Sequence, residues 1–137
     1  LVLEIGPGMG YTTALLARMA EAVVAVEEDA DLARDAEAAL SAQEVDNAAV
    51  LTGVLAQGSP RNGPYDAIVI FAGVQQIPDA IIDQLKEGGR IMALFMDGAL
   101  GEVRRGVKIH GVVSWQMSFN ATAPVLPGFE RVPSFVF

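Results

Sequence analysis

The sequence predicts an α/β fold in which helices cover a mostly parallel, twisted sheet. Through the first hundred residues, short apolar runs alternate with helical segments, a pattern typical of right-handed βαβ units. The pattern changes after Asp97, where two further strand-like segments flank His110-Gly111. These segments predict an antiparallel hairpin at one edge of the sheet. We expect all 137 residues to form a single domain.

Five short apolar runs are bounded by glycine, proline or charged residues, which is typical of buried parallel strands. They are residues 1–5, 22–26, 48–52, 66–71 and 90–96. Three segments rich in good helix formers predict helices. These segments are residues 11–20, 29–42 and 78–85, the last ending at Gly88-Gly89. Residues 53–64 are predicted to be a polar loop, residues 100–109 and 112–120 the hairpin, and residues 123–137 an extended tail with three prolines.

Composition excludes several classes of protein. With 52% hydrophobic and 19% charged residues, the chain is too apolar to be disordered. Its net charge of -8 repels phosphate backbones and disfavours nucleic acid as a partner. Every apolar run is well short of the ~20 residues that a membrane span needs. With no cysteine and one histidine, we expect no metal site and a reducing, cytoplasmic location.

A glycine loop lies between the first strand and the first helix, with glycines at positions 6, 8 and 10. Glycines there permit a tight turn and let a ligand approach the backbone beside the free N–H groups of a helix N-terminus. A dinucleotide fingerprint would need glycine at position 11, which is Tyr11. The loop therefore predicts a ligand site of a different kind.

The second strand ends at Glu27, seventeen residues after Gly10. In an open parallel sheet, this strand end faces the same crevice as the glycine loop. A carboxylate at that position can accept both hydroxyl groups of a ribose, which predicts a nucleoside cofactor. The alternative is that Glu27, Glu28 and Asp29 only cap the next helix. Alternation along the strand is expected to turn Glu28 away from the crevice.

The segments LEIGPGMG and VVAVEED resemble the S-adenosylmethionine-dependent class I methyltransferases, which have a Rossmann-like fold. They are similar to the ribosomal-RNA adenine N6-dimethyltransferases, but those enzymes need an Asn-Leu-Pro-Tyr type motif after the fourth strand. Here residues 71–74 are FAGV. The segments EIGPGMGYTTALLA and GPYDAIVIFAGVQQIPDAIIDQLKEGGRIMAL instead resemble the protein-L-isoaspartate O-methyltransferase family.

That resemblance implies S-adenosylmethionine as the cofactor and the free carboxylate of L-isoaspartyl residues in damaged proteins as the methyl acceptor. The residues it assigns to the cofactor are Glu4, Gly6, Gly8, Gly10, Glu27, Gly53 and Val54. Val54 stands where the family has an aspartate that meets the adenine amino group. The substrate motif of the family would lie before Leu1, so no catalytic residue is identified in this chain.

Two other functions stay open. The chain could be a cofactor-binding module that has lost transfer, or a methyltransferase for another substrate such as RNA adenine or a small acid. A segment before Leu1 is also expected to complete the packing of the sheet. Without it, we expect the chain to expose an apolar patch and either to self-associate or to bind the cofactor more weakly than the intact protein.

Overall fold

A computed structural model describes residues 1–8 and 10–131. The strands in these ranges are Val2–Ile5 (β1), Val23–Glu27 (β2), Ala48–Thr52 (β3), Tyr65–Val74 (β4), Leu85–Asp97 (β5), Leu100–Ile109 (β6) and Val112–Asn120 (β7). The α-helices are Tyr11–Met19 (α1), Ala30–Ala42 (α2) and Asp79–Ile82 (α3), and two 3₁₀ turns span Leu55–Gln57 and Pro60–Asn62. Among the described residues, no helix combines the length and the apolar character needed to cross a bilayer.

The seven strands form one sheet in the order β3-β2-β1-β4-β5-β6-β7. Strands β1 to β5 pair in parallel, whereas β6 is antiparallel to both β5 and β7. This confirms the predicted mostly parallel sheet with an antiparallel hairpin at one edge. Strand order reverses between β1 and β4, and a ligand crevice is expected at the carboxyl ends of the strands around such a point.

The two faces of the sheet are covered differently. Helices α1 and α2 pack on one face through small side chains such as Ala14 and Ala36, against β2 and β3. The other face is covered by α3, by Leu55 of the first 3₁₀ turn and by Phe129 of the C-terminal segment. Residues predicted to be a polar loop and an extended tail therefore supply part of the core, although residues 132–137 of the predicted tail lie outside the described residues.

The third helix is shorter than predicted. It spans Asp79–Ile82 rather than residues 78–85, and β5 already begins at Leu85. Gly88-Gly89 thus lies inside a strand and does not end a helix. The Lys108 ammonium group donates to the carbonyl oxygens of Ile82 and Leu85, at 2.9 Å each. Because these carbonyls are satisfied by a side chain, no further helical turn is needed to pair them.

An apolar groove of about 390 Å³ lies beside α1, over the face of β4 and β5. Its lining includes Leu15, Met19 and Phe71, whose exposed fractions are 47%, 84% and 48%. This apolar surface lies on the face that α1 covers, and self-association of the chain stays a prediction. The only histidine of the sequence, His110, lies in the β6–β7 turn with φ of 54°.

Candidate functional site

The glycine loop after β1 uses backbone that favours glycine. Gly6, Gly8 and Gly10 have φ values of 74°, 61° and 85°. A Cβ added to Gly8 would meet no atom within 4 Å, whereas one added to Gly10 would lie 3.1 Å from the Cα and carbonyl oxygen of Ala36. Gly8 therefore presents its backbone to open space, and Gly10 lets α2 approach the start of α1. Cofactor contact by Gly10 stays a prediction.

A crevice of about 540 Å³ opens between this loop and the end of β2. Its lining comprises Gly6, Gly8, Glu27, Glu28, Asp29, Leu32, Leu55, Leu126 and Pro127. The fold thus brings together three of the residues predicted to bind the cofactor: Gly6, Gly8 and Glu27. Two cavities of about 590 and 600 Å³ elsewhere on the chain border neither the glycine loop nor Glu27.

Glu27 is the last residue of β2 and is only 6% exposed. The Glu28 N–H donates to its Oε2 at 2.7 Å, which fixes the carboxylate at the wall of the crevice. Asp29 caps α2, since its carboxylate accepts from Asp31 N at 2.8 Å and from Leu32 N at 3.1 Å. The capping role predicted for Asp29 is confirmed. Glu28 is exposed and also borders the crevice, and the direction of its side chain stays a prediction.

Glu4 lies behind the loop and is fully buried. Its two carboxylate oxygens accept hydrogen bonds from the hydroxyl groups of Thr12 and Thr13, which tie β1 to α1. Burial raises the pKa of the Glu4 carboxyl, and the two threonine hydrogen bonds oppose that rise. Glu4 is not among the residues that line the crevice, and its contact with a cofactor stays a prediction.

The raised pKa of Glu4 predicts a pH-dependent stability. The folded state holds the proton more tightly than the unfolded state, so the stabilisation is present below the ordinary value of 4.5 and is lost as pH rises through the folded pKa. Relative to Glu4→Gln, the wild-type free energy of unfolding should therefore fall as pH increases from about 4.5. Urea unfolding of both proteins at several pH values measures this. A difference that is constant with pH would contradict it.

The end of β3 lies next to the same crevice. The Gly53 N–H donates to the Glu27 carbonyl oxygen at 2.9 Å. Val54 follows with half of its surface exposed, and the next residue, Leu55, is 3% exposed and lines the crevice. An apolar side chain thus borders the crevice next to the position where the family has an acid. Contact of Gly53 and Val54 with adenine stays a prediction.

The crevice is bordered by the glycine loop, by the ends of β2 and β3, and by residues 121–131, here termed the strap. The Gly73 N–H donates to the Pro124 carbonyl oxygen at 3.0 Å, and the Leu126 N–H donates to the Gly73 carbonyl oxygen at 2.9 Å. A Cβ on Gly6 would lie 3.4 Å from Leu126 Cδ1, so Leu126 covers the start of the glycine loop. Phe129 is fully buried and anchors the strap in the core.

Sequence reasoning did not find the strap residues Leu126 and Pro127. The signal available was Pro127-Gly128, since proline followed by glycine predicts a type II turn. That turn is present: Gly128 has φ of 87°, and the Phe129 N–H donates to the Leu126 carbonyl oxygen at 3.1 Å. A local signal of this kind does not specify the distant surface on which the turn packs.

A glycine loop after β1, a buried carboxylate ending β2 and a crevice where strand order reverses define a Rossmann-like nucleoside-binding domain with the class I methyltransferase fold. The C-terminal antiparallel strands fit the same class. A sequence profile of the protein-L-isoaspartate(D-aspartate) O-methyltransferase family matches residues 1–112. The chain belongs to that family.

One relative and two solved structures show how similar this chain is to individual proteins. The protein-L-isoaspartate O-methyltransferase of Methanoculleus marisnigri is 48% identical over 92 residues, which are 67% of this chain and 42% of the relative. A solved protein-L-isoaspartate O-methyltransferase has a TM-score of 0.85 at 27% identity, covering 93% of this chain and 42% of that one. A Plasmodium falciparum structure described as a member of this family, in complex with S-adenosyl-L-homocysteine, has a TM-score of 0.76 at 20% identity, covering 91% of this chain and 64% of that one. The chain spans less than half the length of the first two proteins.

Proposed function

We propose that residues 1–137 form one domain that binds S-adenosylmethionine in the crevice between the glycine loop and β2. The observation that carries this proposal is the buried Glu27 carboxylate, which faces the same crevice as the open backbone of Gly6 and Gly8. Among the residues that the structure describes, the lining also includes Glu28 and Asp29 but no lysine or arginine. Such a lining favours a cationic cofactor without phosphate groups over a dinucleotide.

The residues present fit this cofactor. Glu27 would accept the ribose hydroxyl groups, and the backbone at Gly8 leaves room for close approach, since no atom lies within 4 Å of a Cβ built there. Leu55 on the β3 side and Leu126 on the β4 side supply apolar walls. The strand order places β2, which ends in Glu27, between β3 and β4, so Leu55 would border the base and Leu126 the opposite end of the cofactor.

We further propose that the whole protein methylates the free carboxylate of L-isoaspartyl residues in proteins, as part of protein repair. When bound, the cofactor supplies a methyl group on a positively charged sulfonium. A carboxylate nucleophile is already ionised and requires no general base. In the transfer a C–O bond forms as the C–S bond breaks, and both charges disappear. Apolar cover at the end of the cofactor opposite the base, where Leu126 would lie, would keep water from the two groups and help to align them, which favours the reaction.

Isothermal titration of the 137-residue chain with S-adenosylhomocysteine tests cofactor binding. We expect saturable binding at one site, and absence of binding at millimolar ligand would refute the proposal. Transfer is then measured on the whole protein with labelled S-adenosylmethionine and two peptides that differ only in an isoaspartyl or an aspartyl residue. We expect label in the isoaspartyl peptide alone, as a base-labile methyl ester. Transfer to RNA or to a small acid instead would identify a different substrate.

A second candidate function is cofactor binding without transfer, which is favoured by Val54 in the position of the usual acid. A whole protein that binds S-adenosylhomocysteine yet labels no isoaspartyl peptide would establish it. Labelling of the peptide therefore separates the two cases, whereas Val54→Asp tests the placement of adenine, since a carboxylate there should tighten cofactor binding through the adenine amino group in either case. The cytoplasmic location and the absence of nucleic-acid partners stay predictions.

Shortening the Leu126 side chain of the strap should weaken cofactor binding. We expect Leu126→Ala to raise the dissociation constant of S-adenosylhomocysteine roughly 5–30-fold, because a partly buried apolar contact is lost. Val125→Ala is the matched control, since Val125 is also half-buried on the strap but does not line the crevice. Titration calorimetry compares the two, with circular dichroism to check folding. Equal losses would mean that the strap acts only through stability.

A further inference from the structure

Two cavities meet on the face of the sheet that α3 covers. One, of about 600 Å³, lies over the start of β6 and the end of β7, and the other, of about 290 Å³, lies between α3 and the β6–β7 turn. The half-buried Phe95 of β5 lines both. The two cavities therefore form one depression around this ring, here termed the Phe95 groove.

The side chains of the Phe95 groove suit a polypeptide ligand. The Phe95 ring meets Trp115 edge-on, with centroids 4.8 Å apart, and the Arg104 guanidinium lies 4.6 Å from the Phe95 centroid. Asn120 and Thr122 add exposed polar side chains beside these rings. A peptide offers both apolar side chains and backbone polar groups, and a surface that combines aromatic rings with amide and hydroxyl groups can contact both.

The strap joins the Phe95 groove to the cofactor crevice. Its first residue, Ala121, lines the groove and donates its N–H to the Gly101 carbonyl oxygen of β6 at 3.2 Å. Further along the strap, Leu126 covers the glycine loop after β1. Strands β1 and β6 are three spacings apart, about 14 Å, which an extended chain covers in about four residues. One bound peptide can therefore reach both sites.

The Phe95 groove also carries an excess of negative charge. Arg104 pairs with Glu102 at 2.8 Å, so these two charges offset each other. Asp97 at the end of β5 and Asp79 at the start of α3 line the groove as well, and both are exposed. In the part of the chain that the structure describes, neither forms an ion pair. A basic side chain of a bound peptide therefore complements the groove.

We propose that the Phe95 groove binds the part of the polypeptide substrate that flanks the isoaspartyl residue, and that it favours a basic residue about four positions away. This inference rests on the proposed function, in which the methyl acceptor meets the cofactor at its Leu126 end. The flanking chain then crosses the strap and enters the groove beside Asp97. The groove sets the affinity for the polypeptide and takes no part in the transfer itself.

Trp115 is the only tryptophan of the chain and reports occupancy of the groove without any transfer. Fluorescence titrations of the 137-residue chain use two tryptophan-free isoaspartyl peptides, with lysine or with glutamate about four positions to either side of the isoaspartyl residue. We expect the lysine peptide to change Trp115 emission saturably and to bind roughly tenfold more tightly than the glutamate peptide. Unchanged emission, or equal binding of the two peptides, overturns the proposal.

Reversing the charge of Asp97 should remove this preference. Asp97→Lys should weaken binding of the lysine peptide roughly tenfold, and Asp97→Asn, which keeps the shape of the side chain, roughly threefold. The matched control is Asp35→Lys, which makes the same charge change at an exposed position of α2, on the other face of the sheet. It should change binding less than about twofold. Equal effects of Asp97→Lys and Asp35→Lys would assign the preference to net charge and overturn the proposal.

Methyl transfer by the whole protein distinguishes this inference from the proposed function. For the lysine peptide, Asp97→Lys should raise KM roughly tenfold and leave kcat and the dissociation constant of S-adenosylhomocysteine within about twofold. Normal transfer with an unchanged KM would overturn the groove and leave the proposed function intact. Peptide binding at the groove without transfer to the isoaspartyl residue would contradict the proposed function and support the groove as a peptide-binding site.

Discussion

Replacing Phe129 by alanine should lower the free energy of unfolding by about 3–5 kcal/mol, the range for deleting a buried aromatic ring. Phe129 is fully buried among residues of the core face opposite α1 and α2. Its carbonyl oxygen also accepts from the N–H groups of Gln75 and Gln76, at 2.8 and 3.1 Å. Loss of the ring would leave a cavity under the strap. Urea unfolding followed by circular dichroism measures the change.

Phe71→Ala is the control for this substitution, because it deletes the same ring from a half-exposed position on β4. We expect it to cost about 1 kcal/mol or less. The Phe129 variant should also bind S-adenosylhomocysteine more weakly, since the strap that carries Leu126 loses its anchor. Equal losses of stability in the two variants would show that Phe129 does not hold the C-terminal segment on the core.

The elements predicted well are those whose signal is local. Strands β1 to β3 and helices α1 and α2 have apolar periodicity over their whole lengths, and their bounds agree with prediction to within a residue or two. The boundary between α3 and β5 was predicted incorrectly because Gly88-Gly89 is a typical helix end. The deciding contacts there come from Lys108, more than twenty residues further along the chain, and no local pattern shows them.

The residues of the candidate site also fall into two groups, those that a local sequence signal predicts and those that depend on distant contacts. Gly6, Gly8 and Glu27 follow from the glycine loop and from the strand that ends opposite it, since the topology of a parallel sheet places both at one edge. Leu126 reaches the crevice through hydrogen bonds between the strap and Gly73, which join residues more than fifty positions apart. Such pairing depends on the shape of the folded sheet. It could not be predicted from an extended, proline-containing segment.

Replacing Glu27 by alanine should weaken binding of S-adenosylhomocysteine by about 1.5–3 kcal/mol, the range for hydrogen bonds to a charged group. This corresponds to a roughly 10–150-fold higher dissociation constant. Glu27 is 6% exposed and its carboxylate accepts from the Glu28 N–H, so the carboxylate would bind the ribose with little further loss of side-chain freedom.

Glu28→Ala is the control for the Glu27 substitution, because it removes a neighbouring carboxylate of the same charge from the exposed rim of the crevice. Solvent screens that position, and we expect a change below about 0.5 kcal/mol. Titration calorimetry of both variants in two salt concentrations separates the causes: a long-range charge effect shrinks in high salt in both variants, whereas a direct contact of Glu27 persists. Comparable losses from the two variants, with folding intact, would place the ribose contact elsewhere on the rim.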